Sequence, residues 1–273
     1  MSPVGVVAVV GAKGAPGATT TSLALALGWP GPVLVVDADP AGGDVVPGWL
    51  SGRVGLDDGL VTFAAASRHL PTSALAELGG ELAAHLVAVP ERPRLRVLPG
   101  LAHAGQAGGL DSQAWARLAA ALTATAFGGD VLVDCGRSGE GLPWPLLAAA
   151  DLVLLVTRPT VRGCHHARHA AALAEAELAG RGRLGLVVCG PGPYRPAEIG
   201  RVIGLPVLAV LPADPAAAAV LSDGLPAGPG LSRRPLLRAA RSAAHQLHPG
   251  MTAADRASPA EAVRPVRTPA GGR

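Results

Sequence analysis

Short runs of Val and Leu alternate along this chain with Ala-rich stretches of helical periodicity. Several of the runs are apolar throughout, which is typical of strands that are covered on both faces. The alternation predicts an α/β fold, in which right-handed β-α-β units build a mainly parallel, twisted sheet with helices on both faces. The predicted strands are residues 4–10, 32–36, 95–98, 131–133, 152–156, 184–188 and 207–211. The predicted helices are residues 20–27, 60–69, 72–86, 112–126, 164–178, 196–203 and 233–247.

Length and composition fit one large domain followed by a tail. The chain has 273 residues and 49% of them are hydrophobic, which is enough for a single core over residues 1–248. Residues 249–273 are rich in Pro, Ala and Arg, and this composition predicts a disordered tail. Three cysteines without paired spacing, and no apolar stretch long enough for a membrane span, favour a cytoplasmic location. A net charge of +3 does not by itself imply nucleic-acid binding.

A glycine-rich turn follows the first predicted strand and leads directly into a helix. Glycines let backbone N–H groups converge on an anion, and the helix adds the positive end of its dipole. This context predicts a phosphate-binding loop, with an ordinary glycine-rich turn as the alternative. Thr19 stands where a hydroxyl would bind Mg²⁺. The loop residues expected to hold the nucleotide are Gly11, Lys13, Gly14, Ala15, Pro16, Gly17, Ala18, Thr19 and Thr20.

Three acidic residues follow two later predicted strands. Asp37 and Asp39 leave the strand 32–36 on the same side, toward the edge of the sheet where α/β folds bind ligands. The alternative for this pair is a polar turn in which Asp caps the chain. Asp134 follows the apolar strand 131–133, which is the pattern of an acid that holds Mg²⁺ in P-loop NTPases. The order and spacing of the loop and the acids together predict a site for a nucleotide with Mg²⁺.

The loop sequence Gly-Ala-Lys-Gly-Ala-Pro-Gly-Ala-Thr-Thr resembles the deviant Walker A box of the ParA/MinD superfamily, and Asp37-Ala38-Asp39-Pro40 resembles that family's second acidic box. The likeness covers about residues 4–247 and includes the segment Leu211-Pro212-Ala213-Asp214. It implies ATP as the nucleotide and adds Pro212 and Asp214 to the residues that bind it.

The resemblance also implies individual roles. Lys13, the only lysine in the chain, would reach across an ATP-sandwich homodimer to the partner's phosphates. Thr19, Asp37 and Asp134 would hold Mg²⁺, directly or through water. Asp39 would orient the attacking water, so that Asp39 and Lys13 are the expected catalytic residues.

The sequence departs from this family at position 18. Ala18 stands where active relatives have the lysine that contacts the β- and γ-phosphates. Its absence predicts weak nucleotide binding, slow hydrolysis or both, because that charge stabilises the transition state. We expect no nearby basic residue to replace it, although Lys13 of a partner would compensate in part. The residues after Asp134, Cys135-Gly136-Arg137, also depart from the usual pattern, so signalling of the nucleotide state is expected to differ.

The ending Gly17-Ala18-Thr19 resembles the CpaE/TadZ-like branch of the family, which is associated with pilus assembly, secretion and septum-site regulation. This implies an ATP-dependent dimer switch that recruits a protein partner in one of those systems. One alternative is a partition ATPase that binds DNA nonspecifically, and Ala18 weighs against it. Another is a nucleotide-independent scaffold, which the retained Lys13, Thr19 and acids weigh against.

Two further features have competing interpretations. His165 and His169 share a helix face beside Cys164, which indicates either a metal site or a polar helix face near the nucleotide. The segment 231–247 carries four arginines among apolar residues. It is either a helix that contacts DNA or a membrane surface, or a surface helix that packs its apolar stripe on the domain.

Overall fold

The structure is a computed structural model that describes residues 5–13, 17–52, 59–124, 127–179 and 183–248. The predicted tail, 249–273, lies outside these residues. So do Gly14, Ala15 and Pro16 of the predicted phosphate loop and the last two residues of the predicted helix 112–126.

One sheet forms the centre of the described part of the chain. Its strands are β1 (Val6–Gly11), β2 (Val33–Asp37), β3 (Val87–Ala88), β4 (Leu95–Leu98), β5 (Asp130–Arg137), β6 (Leu152–Thr157), β7 (Arg183–Cys189) and β8 (Val207–Leu211). Their order across the sheet is β3-β4-β2-β5-β1-β6-β7-β8. All neighbouring strands are parallel apart from β3 and β4, which are antiparallel. The predicted, mainly parallel sheet is therefore confirmed.

Helices connect the strands. They are α1 (Ala18–Gly28), α2 (Leu60–Ala66), α3 (Leu75–Ala84), α4 (Ser112–Ala124), α5 (Trp144–Ala149), α6 (Val161–Leu178), α7 (Pro196–Ile203), α8 (Pro215–Ser222) and α9 (Pro235–Leu247). Short 3₁₀ turns occupy Ser67–His69, Ala104–Gly109 and Leu231–Arg233, and a π-helical turn occupies Val45–Trp49. Each predicted strand and helix has a counterpart, but sequence reasoning missed β3, α5, α8 and the π-helical turn.

The helices cover both faces of the sheet, as predicted. Successive residues of β1 point to opposite faces, so Val6 and Ala8 join one apolar cluster and Val7 and Val9 join the other. The first cluster contains residues of α2 to α7, and the second contains residues of α1, α8 and α9. The sheet is thus buried on both sides, which is why its strands are continuous apolar runs.

Helix α9 packs its apolar stripe against the domain. Leu236, Leu237, Ala240 and Ala244 are buried in the same cluster as α1. The two helices approach so closely that a Cβ added at Gly28 would lie 2.6 Å from the Cα of Arg241. The packing alternative for this segment is therefore confirmed, whereas a role for its exposed arginines stays a prediction.

Replacing Gly28 with Ala should lower the free energy of unfolding by about 1–3 kcal/mol, because the added methyl group forces α1 and α9 apart. Gly80→Ala is the matched control, since Gly80 is an exposed helical glycine with nothing within 4 Å of an added Cβ. That control should raise the free energy of unfolding by about 1 kcal/mol or less through helix propensity. Urea denaturation measures both changes, and equal effects would contradict the close packing of α1 on α9.

Candidate functional site

The carboxyl ends of three neighbouring strands bring the predicted loop and acids together. β5 lies between β1 and β2. Asp134 of β5 is the register partner of Asp37 on one side and of Val9 on the other. The loop after β1 and the acids after β2 therefore flank Asp134 at one edge of the sheet, where open α/β sheets bind ligands.

The start of α1 is open to an anion. Gly17 precedes the helix with φ 111°, a conformation that favours glycine, and no side chain caps the helix. Its first-turn N–H groups are therefore available to a ligand. Two backbone hydrogen bonds fix the strand before the loop: Ala12 N–H donates to Val156 O at 2.9 Å, and Ser138 N–H donates to Gly11 O at 2.8 Å.

Asp37 and Asp134 are both fully buried. Oδ2 of Asp37 accepts a hydrogen bond from the Val45 N–H at 3.2 Å, and Oδ1 of Asp134 accepts one from the Gly136 N–H at 3.1 Å. Within the described residues, Oδ2 of Asp134 has no hydrogen-bond donor. A buried carboxylate oxygen without a donor is a suitable ligand for Mg²⁺ or for its bound water.

Burial raises the cost of ionising both acids. It raises the pKa of Asp134 to about 7, although the nearby Thr19 hydroxyl and the Gly136 N–H lower it in part. Burial also raises the pKa of Asp37 well above its ordinary value, and the charge of Asp134 raises it further. A divalent cation between them would favour both carboxylates in the ionised form. The structure thus brings Thr19, Asp37 and Asp134 together, and their roles as metal ligands stay a prediction.

Three glycines that sequence reasoning did not assign to the site fit around these acids. A Cβ added at Gly43 or Gly100 would lie 2.6 or 2.7 Å from Cγ of Asp37. A Cβ added at Gly136, which has φ 67°, would lie 2.2 Å from Cγ of Asp39. The doublet at 42–43 directly after the second acidic box was a visible signal for Gly43, but nothing in the sequence pointed to Gly100.

Asp39 is partly exposed, unlike the two buried acids. Its Oδ1 accepts a hydrogen bond from the Ala41 N–H at 2.8 Å. Burial raises its pKa, and the charge of Asp44 adds to this, whereas the charge of Arg137 lowers it. Asp44 and Arg137 were both missed as members of the site. The expectation that no nearby basic residue replaces the lysine absent at position 18 stays a prediction, and Arg137 follows Asp134 on the same strand.

Lys13 is exposed. Its charge lowers the pKa of His166 near the start of α6, although desolvation and the charge of His165 lower that pKa more. Thr19 and Thr20 lie in the first turn of α1, and both are partly exposed. Ala18, the first residue of α1, is buried in the apolar cluster that α1 shares with α8 and α9.

Asp214 lies at the start of α8, after β8 and three strands away from β1. Its Oδ1 accepts a hydrogen bond from the Ala217 N–H at 3.2 Å, and Nε of Arg234 donates to its two oxygens at 2.9 and 3.0 Å. The Arg234 hydrogen bonds lower the pKa of Asp214. Its carboxylate therefore already caps a helix and pairs with an arginine, so contact of Asp214 and Pro212 with a nucleotide stays a prediction.

The histidines near the start of α6 lie close together. The ring centres of His165 and His169 are 4.7 Å apart, and those of His165 and His166 are 5.3 Å apart. In the described ranges, no three His, Cys, Asp or Glu side chains are arranged to hold a metal ion by themselves. Over the same ranges, no helix has the length and hydropathy needed to cross a bilayer.

The sequence aligns with two curated relatives from Mycobacterium tuberculosis. These are the uncharacterized protein Rv3660c of strain ATCC 25618 / H37Rv and the uncharacterized protein MT3760 of strain CDC 1551 / Oshkosh. Each is 33% identical over 249 residues, which cover 86% of this chain and 61% of the relative. The chain thus spans about three fifths of the length of the curated relatives it matches. No family model matches the chain.

Solved structures with the same architecture are bacterial and archaeal ATPases. The cell division ATPase MinD of Pyrococcus furiosus aligns with a TM-score of 0.69 and 22% identity over 90% of this chain and 98% of its own. A ParA family ATPase of Chlorobium tepidum TLS aligns with a TM-score of 0.68 and 21% identity over 90% and 99%. The septum site-determining protein MinD of Pyrococcus horikoshii OT3, complexed with Mg-ADP, aligns with a TM-score of 0.61 and 18% identity over 89% and 96%. This chain therefore has the fold of the MinD/ParA P-loop ATPases.

Proposed function

We propose that this chain is an ATP-dependent dimer switch of the ParA/MinD type, which binds Mg-ATP with weak or no hydrolysis. The observation that carries the proposal is the buried Asp37–Asp134 pair beside the uncapped start of α1. Among the residues that the structure describes, none donates a hydrogen bond to Oδ2 of Asp134. Such an arrangement is costly for a site without a ligand, because two ionised carboxylates repel each other out of water. A Mg²⁺ ion that enters with a triphosphate would place positive charge beside the pair.

The ligand classes follow from the donors at this edge. Backbone N–H groups at the start of α1 suit phosphate oxygens. Thr19, Asp37 and Asp134 offer the oxygen ligands that Mg²⁺ prefers, in part through water. When bound, the metal would neutralise charge on the phosphates, and Asp39, which is partly exposed, would orient the attacking water. The bound Mg-ADP of the Pyrococcus horikoshii MinD supports this assignment.

Pairing of two copies is the second part of the proposal. Lys13 is exposed, and its charge acts on His166 near the start of α6. A lysine placed there suits the phosphates of a facing copy. The dimer would recruit a protein partner and position a pilus, secretion or septation system, as the CpaE/TadZ-like ending of the loop implies. Retention of the buried acid pair argues against a nucleotide-independent scaffold.

DNA binding by a partition ATPase has less support. In α9 and the turn before it, Arg234 pairs with Asp214, and the guanidinium of Arg241 donates to Ser232 O at 3.0 Å. Two of the four arginines of segment 231–247 are therefore engaged by the chain itself, and fewer are available for phosphates of DNA.

The dimer is tested by sedimentation with and without Mg-ATP. ATP should raise the dimer fraction of the wild type, and Lys13→Ala should abolish the rise because the cation that crosses the interface is lost. Arg92→Ala, which removes an exposed cation from the chain segment between β3 and β4, is the matched control and should respond like the wild type. A wild-type chain that stays monomeric at saturating Mg-ATP would refute the switch.

Ala18→Lys should increase steady-state phosphate release by about tenfold or more, because it restores a cation to the phosphate loop. Ala18→Met is the control, since it adds a side chain of similar length without the charge. Both variants must retain cooperative thermal unfolding, because position 18 is buried. If Ala18→Lys and Ala18→Met release phosphate at the same rate, the missing charge does not limit turnover.

Asp134→Asn tests the buried acid pair through pH. The raised pKa of Asp134 means that the folded chain holds this proton more tightly than the unfolded chain, so the associated stability is fully present below about pH 4 and is lost as pH rises from there through about 7. Without nucleotide, Asn should therefore raise the free energy of unfolding above pH 7 by up to about 4 kcal/mol, which corresponds to the rise in the pKa of Asp134 from 3.8 to about 7. It should also abolish the rise in Tm that Mg-ATP gives the wild type.

Asp111→Asn is the control for this substitution. Oδ1 of Asp111 caps α4 through the Ala114 N–H at 2.7 Å, a role that asparagine also fills. It should change neither the pH dependence nor the response to Mg-ATP. If the free energy of unfolding of Asp134→Asn has the same pH dependence as that of the wild type, burial does not raise the cost of ionising Asp134.

A further inference from the structure

The charges of the site do not balance without a further cation. Asp37, Asp39, Asp44 and Asp134 act on one another at the carboxyl edge of β2 and β5. A bound triphosphate would add further negative charge, and Ala18 contributes none of the positive charge that a lysine would. The charge of Lys13 acts on His166, near the start of α6.

A register shift between β1 and β5 affects the orientation of one arginine, Arg137, at this edge of the sheet. Between β1 and β5 the register runs from Val9 opposite Asp134 to Gly11 opposite Arg137. Two steps along β1 thus face three steps along β5, which is the signature of a β-bulge in β5. Gly136, with φ 67°, lies within the bulge. The Ser138 N–H donates to Gly11 O at 2.8 Å and ties the strand beyond the bulge to the start of the phosphate loop.

The bulge changes the side of the sheet that Arg137 faces. In a regular strand, the third residue after Asp134 points to the opposite face, because side chains alternate. The extra residue of the bulge shifts this alternation by one position. The side chain of Arg137 therefore leaves β5 on the same face as that of Asp134. Its guanidinium is exposed, and its charge acts on Asp39. The cation therefore stands at the mouth of the site, opposite the first residue of the loop.

We propose that Arg137 supplies the phosphate-contacting cation that the loop lacks at position 18. The proposal rests on the proposed binding of Mg-ATP and names a further binding residue of that same site. A guanidinium offers paired N–H donors that match phosphate oxygens, and it stays charged at all physiological pH values. Arg137 would contact the phosphates from β5, whereas a lysine at position 18 would contact them from α1. This explains how the loop can bind a nucleotide without that lysine.

Arg158 is the competing cation. It follows β6 at the same edge of the sheet and is exposed. Its charge acts on the thiol of Cys189, whose pKa burial raises to about 11, rather than on the carboxylates. Arg158→Ala is therefore a matched control, since it removes an exposed arginine at the carboxyl end of a neighbouring strand on the other side of β1.

The experiment measures the affinity of the full chain for Mg-ATP by calorimetry. Arg137→Ala should weaken binding by about tenfold or more, because a charge-assisted contact is lost. Arg137→Lys should recover part of the loss, and Arg158→Ala should bind like the wild type. The double variant Ala18→Lys/Arg137→Ala should recover affinity, because the lysine and the arginine replace each other. Thermal unfolding without nucleotide should be the same for wild type and Arg137→Ala.

The outcomes separate this inference from the proposed function. If the wild type does not bind Mg-ATP, the proposed function fails. If the wild type binds and Arg137→Ala binds equally well, only the role of Arg137 fails. A loss in Arg158→Ala instead of Arg137→Ala, or a double variant no better than Arg137→Ala alone, would also overturn the assignment.

Discussion

Two carboxylates buried side by side constrain the rest of this structure. Asp37 and Asp134 are register partners on adjacent strands, both fully buried, and burial raises the pKa of each. Only glycine fits at positions 43 and 100, because a Cβ there would overlap the Asp37 carboxyl group. The backbone around β2 is therefore shaped to hold a carboxylate out of water. We infer that a cation or its bound water completes the site.

The positive groups lie around this pair rather than within it. The start of α1 has no side-chain cap, Arg137 ends β5 opposite Gly11, and Lys13 is exposed after β1. Each comes from a different element, so their mutual placement depends on the order β2-β5-β1 in the sheet. The bulge in β5 couples the segment after Asp134 to Gly11.

Much of the fold could be predicted because apolar runs, helical periodicity and glycine-rich turns are local signals. The loop, Thr19 and the acids were found because their spacing places them at one edge of a parallel sheet. Arg137 was missed because its position depends on a bulge, and Gly100 because its contact with Asp37 is made between distant parts of the chain. Helix α8 was missed although Asp214-Pro215 is a helix-start signal, and the pairing of Asp214 with Arg234 could not be read from the sequence.

A crystal structure of the full chain grown with excess Mg²⁺ and a non-hydrolysable ATP analogue tests the central claim most directly. The account predicts a triphosphate on the backbone N–H groups at the start of α1, with Mg²⁺ bound by Thr19 and held by Asp134, directly or through one water. An analogue found elsewhere on the chain, or a loop closed over the Asp37–Asp134 pair with no nucleotide present, would contradict it.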